Sequence, residues 1–179
     1  MALNTTLQIS LDARSTKTAV LGSVPSDPLT LLKTIVYGNG TGAGNADKLY
    51  YAERTIAAGG SSETLDISGG LTDNLGQTFT IARVKGLWVI NAPNDPLATQ
   101  NSNSLVIGAA AGTQWAALLG TTGTITLTPG AHSLHWAGQA DATAWPAAGG
   151  STDSLKMANS AGAGGAELKY QIIIVGVSA

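Results

Sequence analysis

The apolar residues of this chain recur at every second position, in short runs separated by glycine-rich turns. The clearest run carries these side chains on one face: Leu3, Thr5, Leu7, Ile9 and Leu11. Polar residues occupy the positions between them, as expected of a half-buried strand. No stretch keeps the 3.6-residue period of a helix, so any helix should be short. The pattern therefore restricts the chain to an all-β fold.

Short strands with turn signals between them continue along the chain, which is typical of a β-sandwich or barrel. We expect further strands at 49–56, 63–67, 78–91, 104–107, 124–127, 131–136, 154–157 and 167–177. The prediction is an antiparallel β-sandwich, of which a jelly roll is one form, over residues 46–179. An N-terminal strand and an extended arm over residues 1–45 precede it.

The N-terminal region leaves one ambiguity. Residues 13–28, which include Pro25 and Pro28, indicate a connecting arm. Residues 29–37 fit either a capped helix or a strand, and the strand is favoured because Thr34 to Tyr37 are β-formers. We expect this strand to form a hairpin with 49–56 around the glycine-rich loop that begins at Gly38.

Two later strands, 78–91 and 167–177, are expected to be central. In the first, the alternation places Trp88 on a core face with Val84, opposite Leu87 and Val89. In the second, Val175 lies where both faces are apolar, so another element should cover it, and the N-terminal strand or a neighbouring subunit could supply that cover.

Charge and cysteine content exclude several classes of function. Only 11% of residues are charged and the net charge is −2, against about 25% charged in an ordinary domain. Without clustered Lys and Arg, a nucleic-acid partner is not expected. Cysteine is absent, which removes disulfides and thiolate chemistry. We also expect no signal peptide and no membrane span, because no long apolar run is present.

The motifs that resemble chemical sites are weak. Residues 38–43 match the spacing of a dinucleotide-binding loop, but a polar segment follows them where a helix is required. His132 and His135 are three apart on an expected strand and should point to opposite faces. The Asn/Asp turns at 73–74 and 94–95 lack a calcium-loop signature. We therefore predict no catalytic residue, no cofactor and no metal site.

The four tryptophans raise the question of an exposed aromatic platform. Trp88 and Trp136 lie within expected strands and are predicted to be core residues. Trp145 is the best candidate for an exposed or interfacial aromatic. The candidate interface residues are thus Trp145 and the apolar face of the first strand, Leu3, Leu7, Ile9 and Leu11.

From residue 46 onward, the order of strand and turn segments resembles a group of small tailed-bacteriophage proteins encoded among virion structural genes. The resemblance covers about three quarters of the chain and has no catalytic signature. The segments that carry it are 46–51, 53–58, 65–67, 71–73, 79–85, 106–108, 128–130, 153–160 and 170–176.

The resemblance implies a non-enzymatic virion structural protein, with a head decoration or cement protein favoured. Expected partners are the phage major capsid protein, other virion proteins and further copies of the chain, with a trimer favoured. The expected location is the virion head surface, after synthesis in the bacterial host cytoplasm. A tail, fibre or baseplate component that binds glycans through Trp145 remains open, and an unrecognised hydrolase is the weakest alternative.

Overall fold

A computed structural model of the chain describes residues 2–16, 26–108, 110, 112–147, 149, 153–162 and 165–178. Within these residues the strands are β1 (Thr5–Thr16), β2 (Ser26–Asn39), β3 (Asn45–Ala46), β4 (Lys48–Ile56), β5 (Ser62–Asp66), β6 (Leu71–Thr72), β7 (Thr78–Phe79), β8 (Arg83–Ile90), β9 (Leu105–Gly108), β10 (Thr124–Leu127), β11 (His132–Trp136), β12 (Trp145–Pro146), β13 (Ser154–Asn159) and β14 (Leu168–Val177). One short helix, α1 (Ala116–Leu119), lies between β9 and β10.

Two antiparallel sheets form the body of the molecule. The first has the strand order β10-β9-β13-β5. The second has the order β11-β8-β14-β4, and β12 also pairs with β8. A two-stranded pair, β6 and β7, lies outside both sheets. The predicted all-β class and the antiparallel sandwich are confirmed.

The core lies between the two sheets, because alternate side chains of their central strands point at each other. The first sheet contributes Leu65, Leu105, Ile107, Leu127, Leu155 and Met157. The second contributes Tyr50, Ile56, Val84, Leu87, Val89, Leu168, Tyr170, Ile172 and Ile174. Phe79, Ile81 and Trp115 extend the same cluster, and Trp115 is only 2% exposed.

The predicted strand over 78–91 is wrong in its continuity and in its faces. β7 ends at Phe79 and β8 begins at Arg83. Where β8 pairs with β14, the register shifts so that Gly86 and Val84 face successive residues of β14. The extra residue is Lys85, and such a bulge reverses the alternation on one side of it.

The bulge changes the environment of Trp88. Leu87 and Val89 point into the core together with Val84. Trp88 therefore lies on the outer face of the sheet and is half-buried, so its predicted place in the core is wrong. Trp136 is also half-buried and packs on the outer face rather than in the main core.

The N-terminal pairing also differs from the prediction. β2 pairs antiparallel with the whole of β1, from Thr5 opposite Tyr37 to Thr16 opposite Ser26, and its last two residues pair parallel with β3. The strand prediction for residues 29–37 is confirmed, but their predicted hairpin with 49–56 is wrong, because β4 pairs with β14. The predicted connecting arm at 13–28 is wrong at 13–16 and 26–28, which belong to the strands; residues 17–25 lie outside the described residues.

Candidate docking surface on the projecting hairpin

β1 and β2 form a hairpin whose two faces differ in chemistry. Directly opposite residues of an antiparallel pair share a face. One face carries Leu7, Ile9, Leu11, Ala13, Leu29, Leu31, Lys33, Ile35 and Tyr37, with Thr5 at its base and Ser15 and Asp27 at its distal end. The other is mostly polar, with Thr6, Gln8, Ser10, Asp12, Arg14, Thr30 and Thr34 beside Leu32 and Val36. We call the first set the apolar hairpin face.

Most of the apolar hairpin face is open to solvent. Residues 8–16 and 26–34 are all exposed. The large side chains on this face are between two-fifths and three-fifths exposed: Ile9 41%, Leu11 49%, Leu29 56% and Leu31 53%. At about 3.4 Å per residue, the exposed part of the hairpin is about 30 Å long, and its uncovered apolar surface, from Ile9 to Ala13 opposite Leu29 to Lys33, is about 15 Å long.

At its base the same face is buried against the sandwich. Tyr37 is completely buried, and it forms a cluster with Ala46 and with Val175 of β14. Leu3, Ile35, Leu49 and Trp136 pack around this cluster. The expectation that another element covers Val175 is confirmed, and β2 supplies that cover.

Polar contacts fix the orientation of Tyr37. Its hydroxyl donates a hydrogen bond of 2.5 Å to the Ala137 carbonyl. Its ring stacks on Trp136 with 6.2 Å between centroids and an interplanar angle of 21°. Burial, followed by the charge of Asp141, raises the pKa of Tyr37 to about 12. The phenol thus stays protonated and remains a donor at neutral pH.

The glycine-rich loop after β2 turns the chain tightly around Asn45. A Cβ placed on Gly38 would lie 2.9 Å from Asn45 Oδ1, so the Asn45 side chain would have to move to admit it. Gly40 has φ +132°, a conformation that favours glycine. Backbone bonds from Gly38 N to Gly44 O (3.0 Å) and from Gly40 N to Ala46 O (3.3 Å) close the loop. The loop is a structural turn at the hairpin base.

Two cations of β8 hold the surrounding loops. Arg83 donates to the Ala142 carbonyl (2.6 Å) and to the Thr41 carbonyl (3.2 Å). Lys85 is completely buried and donates to the Asp141 carbonyl. Burial lowers the pKa of Lys85, and the nearby Asp141 carboxylate opposes that shift. Both cations thus fix loops of the same chain.

The opposite edge of the sandwich is closed by a polar network between β4, β5 and β14. Arg54 contacts Glu63 Oε2 through Nε (2.8 Å) and Nη2 (2.6 Å). The Tyr170 hydroxyl donates to Glu63 Oε1 (2.8 Å). The hydrogen bond to Glu63 raises the pKa of Arg54, and burial raises that of Tyr170. These bonds satisfy one another, which indicates a structural role.

The predicted interface residues fall into three environments. Ile9 and Leu11 are exposed on the apolar hairpin face, whereas Leu7 is only 9% exposed and Leu3 packs at the hairpin base. Trp145, on β12, is half-buried and packs against the main core. The structure brings together the four aliphatic residues and leaves Trp145 apart from them.

Sequence reasoning missed the second half of this surface. Leu29 and Leu31 lie beside Ala13 and Leu11, on the same face. The signal was present, since apolar residues also alternate from Leu29 to Tyr37, with Lys33 as the exception. This alternation was not used because residues 29–37 also fitted a helix, and because their expected partner was 49–56 rather than the first strand.

The histidines and carboxylates that could form a catalytic or metal site do not come together among the described residues. His132 is exposed and accepts a hydrogen bond from Trp88 Nε1 at 3.3 Å, while His135 contacts Ser133 Oγ at 2.8 Å. Burial lowers the pKa of His135. Among the residues that the structure describes, no group of three or more His, Cys, Asp or Glu is placed to hold a metal ion. The described part of the chain has no helix long and apolar enough to cross a membrane.

An open groove of about 530 Å³ lies at the foot of the hairpin. Its apolar lining comes from Leu3, Leu49, Tyr51 and Leu75, and Tyr51 and Leu75 are 51% and 62% exposed. The remaining lining is polar.

No protein family, curated protein or solved structure matches this chain.

Proposed function

We propose that this chain is a non-enzymatic structural protein of a tailed-phage virion, acting as a head decoration or cement protein. The observation that carries the proposal is the projecting hairpin, whose apolar face is uncovered along most of its length. Exposed apolar patches of this kind mark protein–protein contact sites in folded proteins. The choice of a phage virion as the place of assembly rests on the resemblance of residues 46–179 to virion structural proteins.

The base of the hairpin supports a mechanical role. Tyr37 is buried and hydrogen-bonded, so the base of the hairpin is attached to the sandwich by packed and polar contacts. Each Å² of apolar surface removed from water contributes about 0.025 kcal/mol. Many copies on a shell would add such contacts and raise the free energy needed to separate its subunits.

The order of strands favours a jelly roll as the form of the sandwich. Four antiparallel pairs, β4–β14, β5–β13, β8–β11 and β9–β10, follow one another as in a long ribbon folded back on itself. Successive pairs lie alternately in the two sheets. This arrangement gives the strand orders β11-β8-β14-β4 and β10-β9-β13-β5. Double-sheet jelly rolls of eight strands occur in viral capsid proteins, which agrees with the proposed setting.

The expected partners are the major capsid protein or other virion proteins and further copies of this chain, with a trimer favoured. The test mixes purified protein with phage heads that lack it and measures co-sedimentation and the temperature at which the heads open. Binding to heads with a higher opening temperature supports the proposal. Labelling of the virion tail instead of the head would transfer the role to a tail, fibre or baseplate component.

A matched pair of variants identifies the surface. Leu11→Glu places a charge on the apolar hairpin face, and Ser10→Glu places the same charge on the opposite face of the same strand. Both side chains are exposed, so neither substitution should unfold the sandwich. The proposal expects Leu11→Glu to lose head binding and Ser10→Glu to keep it. Equal binding by both variants would refute a role for the apolar face.

A further inference from the structure

The outer face of the second sheet carries an apolar row that crosses all four strands. Leu134 lies opposite Trp88, Trp88 opposite Ile173, and Ile173 opposite Tyr51. Directly opposite residues share a face, so the four side chains form a continuous strip, which we call the outer row. Tyr51 is 51% exposed and the other three are half-buried.

The next row on the same face shows what covers such a surface. It consists of Trp136, Gly86, Val175 and Leu49. Tyr37 and Ile35, from the base of the apolar hairpin face, pack on this row. Trp136 fits closely because Gly86 has no side chain: a Cβ there would lie 2.5 Å from Trp136 Cε3. Within one copy, therefore, the hairpin covers one row of the sheet and leaves the adjacent outer row open.

We propose that the outer row is the docking site for the apolar hairpin face of a second copy of this chain. The contact would continue, across copies, the packing that Tyr37 and Ile35 already make within one copy. The proposal rests on the assembly role proposed above and specifies its partner surface. It uses two apolar surfaces that the described part of the same chain leaves uncovered.

The areas support reciprocal use of the two surfaces. The exposed parts of Ile9, Leu11, Leu29 and Leu31 amount to about 300–400 Å², the size of a functional patch on a monomer. A stable interface needs about 800 Å² from each partner. One such contact alone is therefore small. In a closed ring every copy gives one hairpin and receives another, so each copy buries its hairpin face in one contact and its outer row and the adjoining groove in the next. A head-to-tail contact of this kind closes into a ring when its rotation permits, which is compatible with a trimer.

Each of the two surfaces offers one charge that could pair with a charge on the other. Lys33 is the only cation among the described residues of the apolar hairpin face, and it is exposed. Glu53 is exposed on the outer face of β4, two residues from Tyr51. A hairpin that covers Tyr51 would bring an ammonium group close to this carboxylate. The ion pair would fix the orientation of the hairpin on the outer row and would add little to the affinity of the contact.

The absence of cysteine from the sequence makes cross-linking a direct test. Two differently tagged chains are co-expressed, one carrying Tyr51→Cys and the other Leu31→Cys, and then mildly oxidised. The control replaces Leu31→Cys with Leu32→Cys. Leu31 and Leu32 are equally accessible, at 53% and 58% exposed, but they lie on opposite faces of the hairpin.

The proposal expects a disulfide between differently tagged chains with Leu31→Cys and at least tenfold less with Leu32→Cys. No cross-link with either variant, or equal cross-linking with both, would overturn it. Each variant is checked for an unchanged melting temperature, since both sites are on the surface. Oligomers that fail to bind phage heads would refute the proposed function alone, and a monomer that binds heads would refute this inference alone.

Discussion

The hairpin and the sandwich have the same alternating sequence pattern but opposite burial. In the sandwich, Leu105 and Leu155 are at most 2% exposed, because a second sheet covers their face. In the hairpin, Leu11 and Leu31 are about half exposed, because no described part of the chain covers theirs. Alternation thus specifies that a strand has one apolar face, while the partner of that face is decided by tertiary or quaternary structure.

The sandwich and the hairpin also differ in which contacts stabilise them. The sandwich closes its own core and satisfies its edge polar groups through Arg54, Glu63 and Tyr170. The hairpin is joined to the sandwich at its base, chiefly through Tyr37, and no described part of the chain covers its distal part. In the proposed assembly, a second copy covers it. Substitutions in the sandwich should therefore affect folding, and substitutions in the distal hairpin should affect association.

The largest expected effect is in the core. Leu155→Ala should lower the free energy of unfolding by about 2–5 kcal/mol, because it removes buried methyl groups and leaves a cavity. Leu31→Ala should change it by less than about 0.5 kcal/mol. Urea unfolding, at concentrations where the chain is monomeric, measures both values. Similar losses for the two variants would remove the distinction between hairpin and sandwich.

The edge network should have the next largest effect. Glu63→Ala leaves Arg54 and Tyr170 without their shared acceptor and should cost about 1–3 kcal/mol. Glu167→Ala is the matched control: its carboxylate is 60% exposed and lies 4.0 Å from Lys169, so about 0–1 kcal/mol is expected. Urea unfolding of both variants tests the difference, and an equal cost would show that the network is not structural.

The base of the hairpin should show a smaller, pH-dependent effect. Tyr37→Phe removes the hydrogen bond to Ala137 and should cost about 1 kcal/mol at neutral pH. The folded-state pKa of Tyr37 is raised to about 12 from 10.0, so its contribution is complete below pH 10 and is lost as the pH rises towards 12. Over that interval the stability of the wild-type chain should fall more steeply than that of Tyr37→Phe. Parallel curves would contradict the buried, protonated phenol.

Trp88 should give the smallest effect, although the sequence predicted a large one. Trp88 is half-buried on the outer face, so Trp88→Ala should cost about 1 kcal/mol or less in the monomer. Trp115→Ala, in the core, should cost about 3–5 kcal/mol. Thermal unfolding of the two variants compares them directly. A loss at Trp88 as large as that at Trp115 would place Trp88 in the core.

The sequence predicted the class and most strands because turns and alternation are local signals. The range 124–127 was predicted with the bounds of β10, and 167–177 differs from β14 by one residue. The faces of β8 could not be predicted, because the bulge at Lys85 depends on pairing with β14 rather than on local sequence.

The pairing of β2 was also beyond local signals. A glycine-rich loop follows Tyr37, and a proline-containing segment precedes Leu29, so either neighbour could have closed a hairpin. The choice depends on burying Tyr37 against Val175 and Trp136, residues far along the chain. Among the candidate interface residues, Ile9 and Leu11 were visible as the alternate apolar positions of one strand, whereas the outer row required the registers of three strand pairs.

The distal hairpin is proposed to serve association and to contribute little to the fold of the sandwich. The direct measurement replaces residues 8–34 by an Asn-Gly turn, which joins Leu7 to its cross-strand partner Ile35. Sedimentation velocity and thermal unfolding then compare this chain with the wild type. We predict a monomer that melts within about 3 °C of the wild-type monomer. A truncated chain that unfolds, or that keeps the wild-type oligomeric state, would contradict the claim.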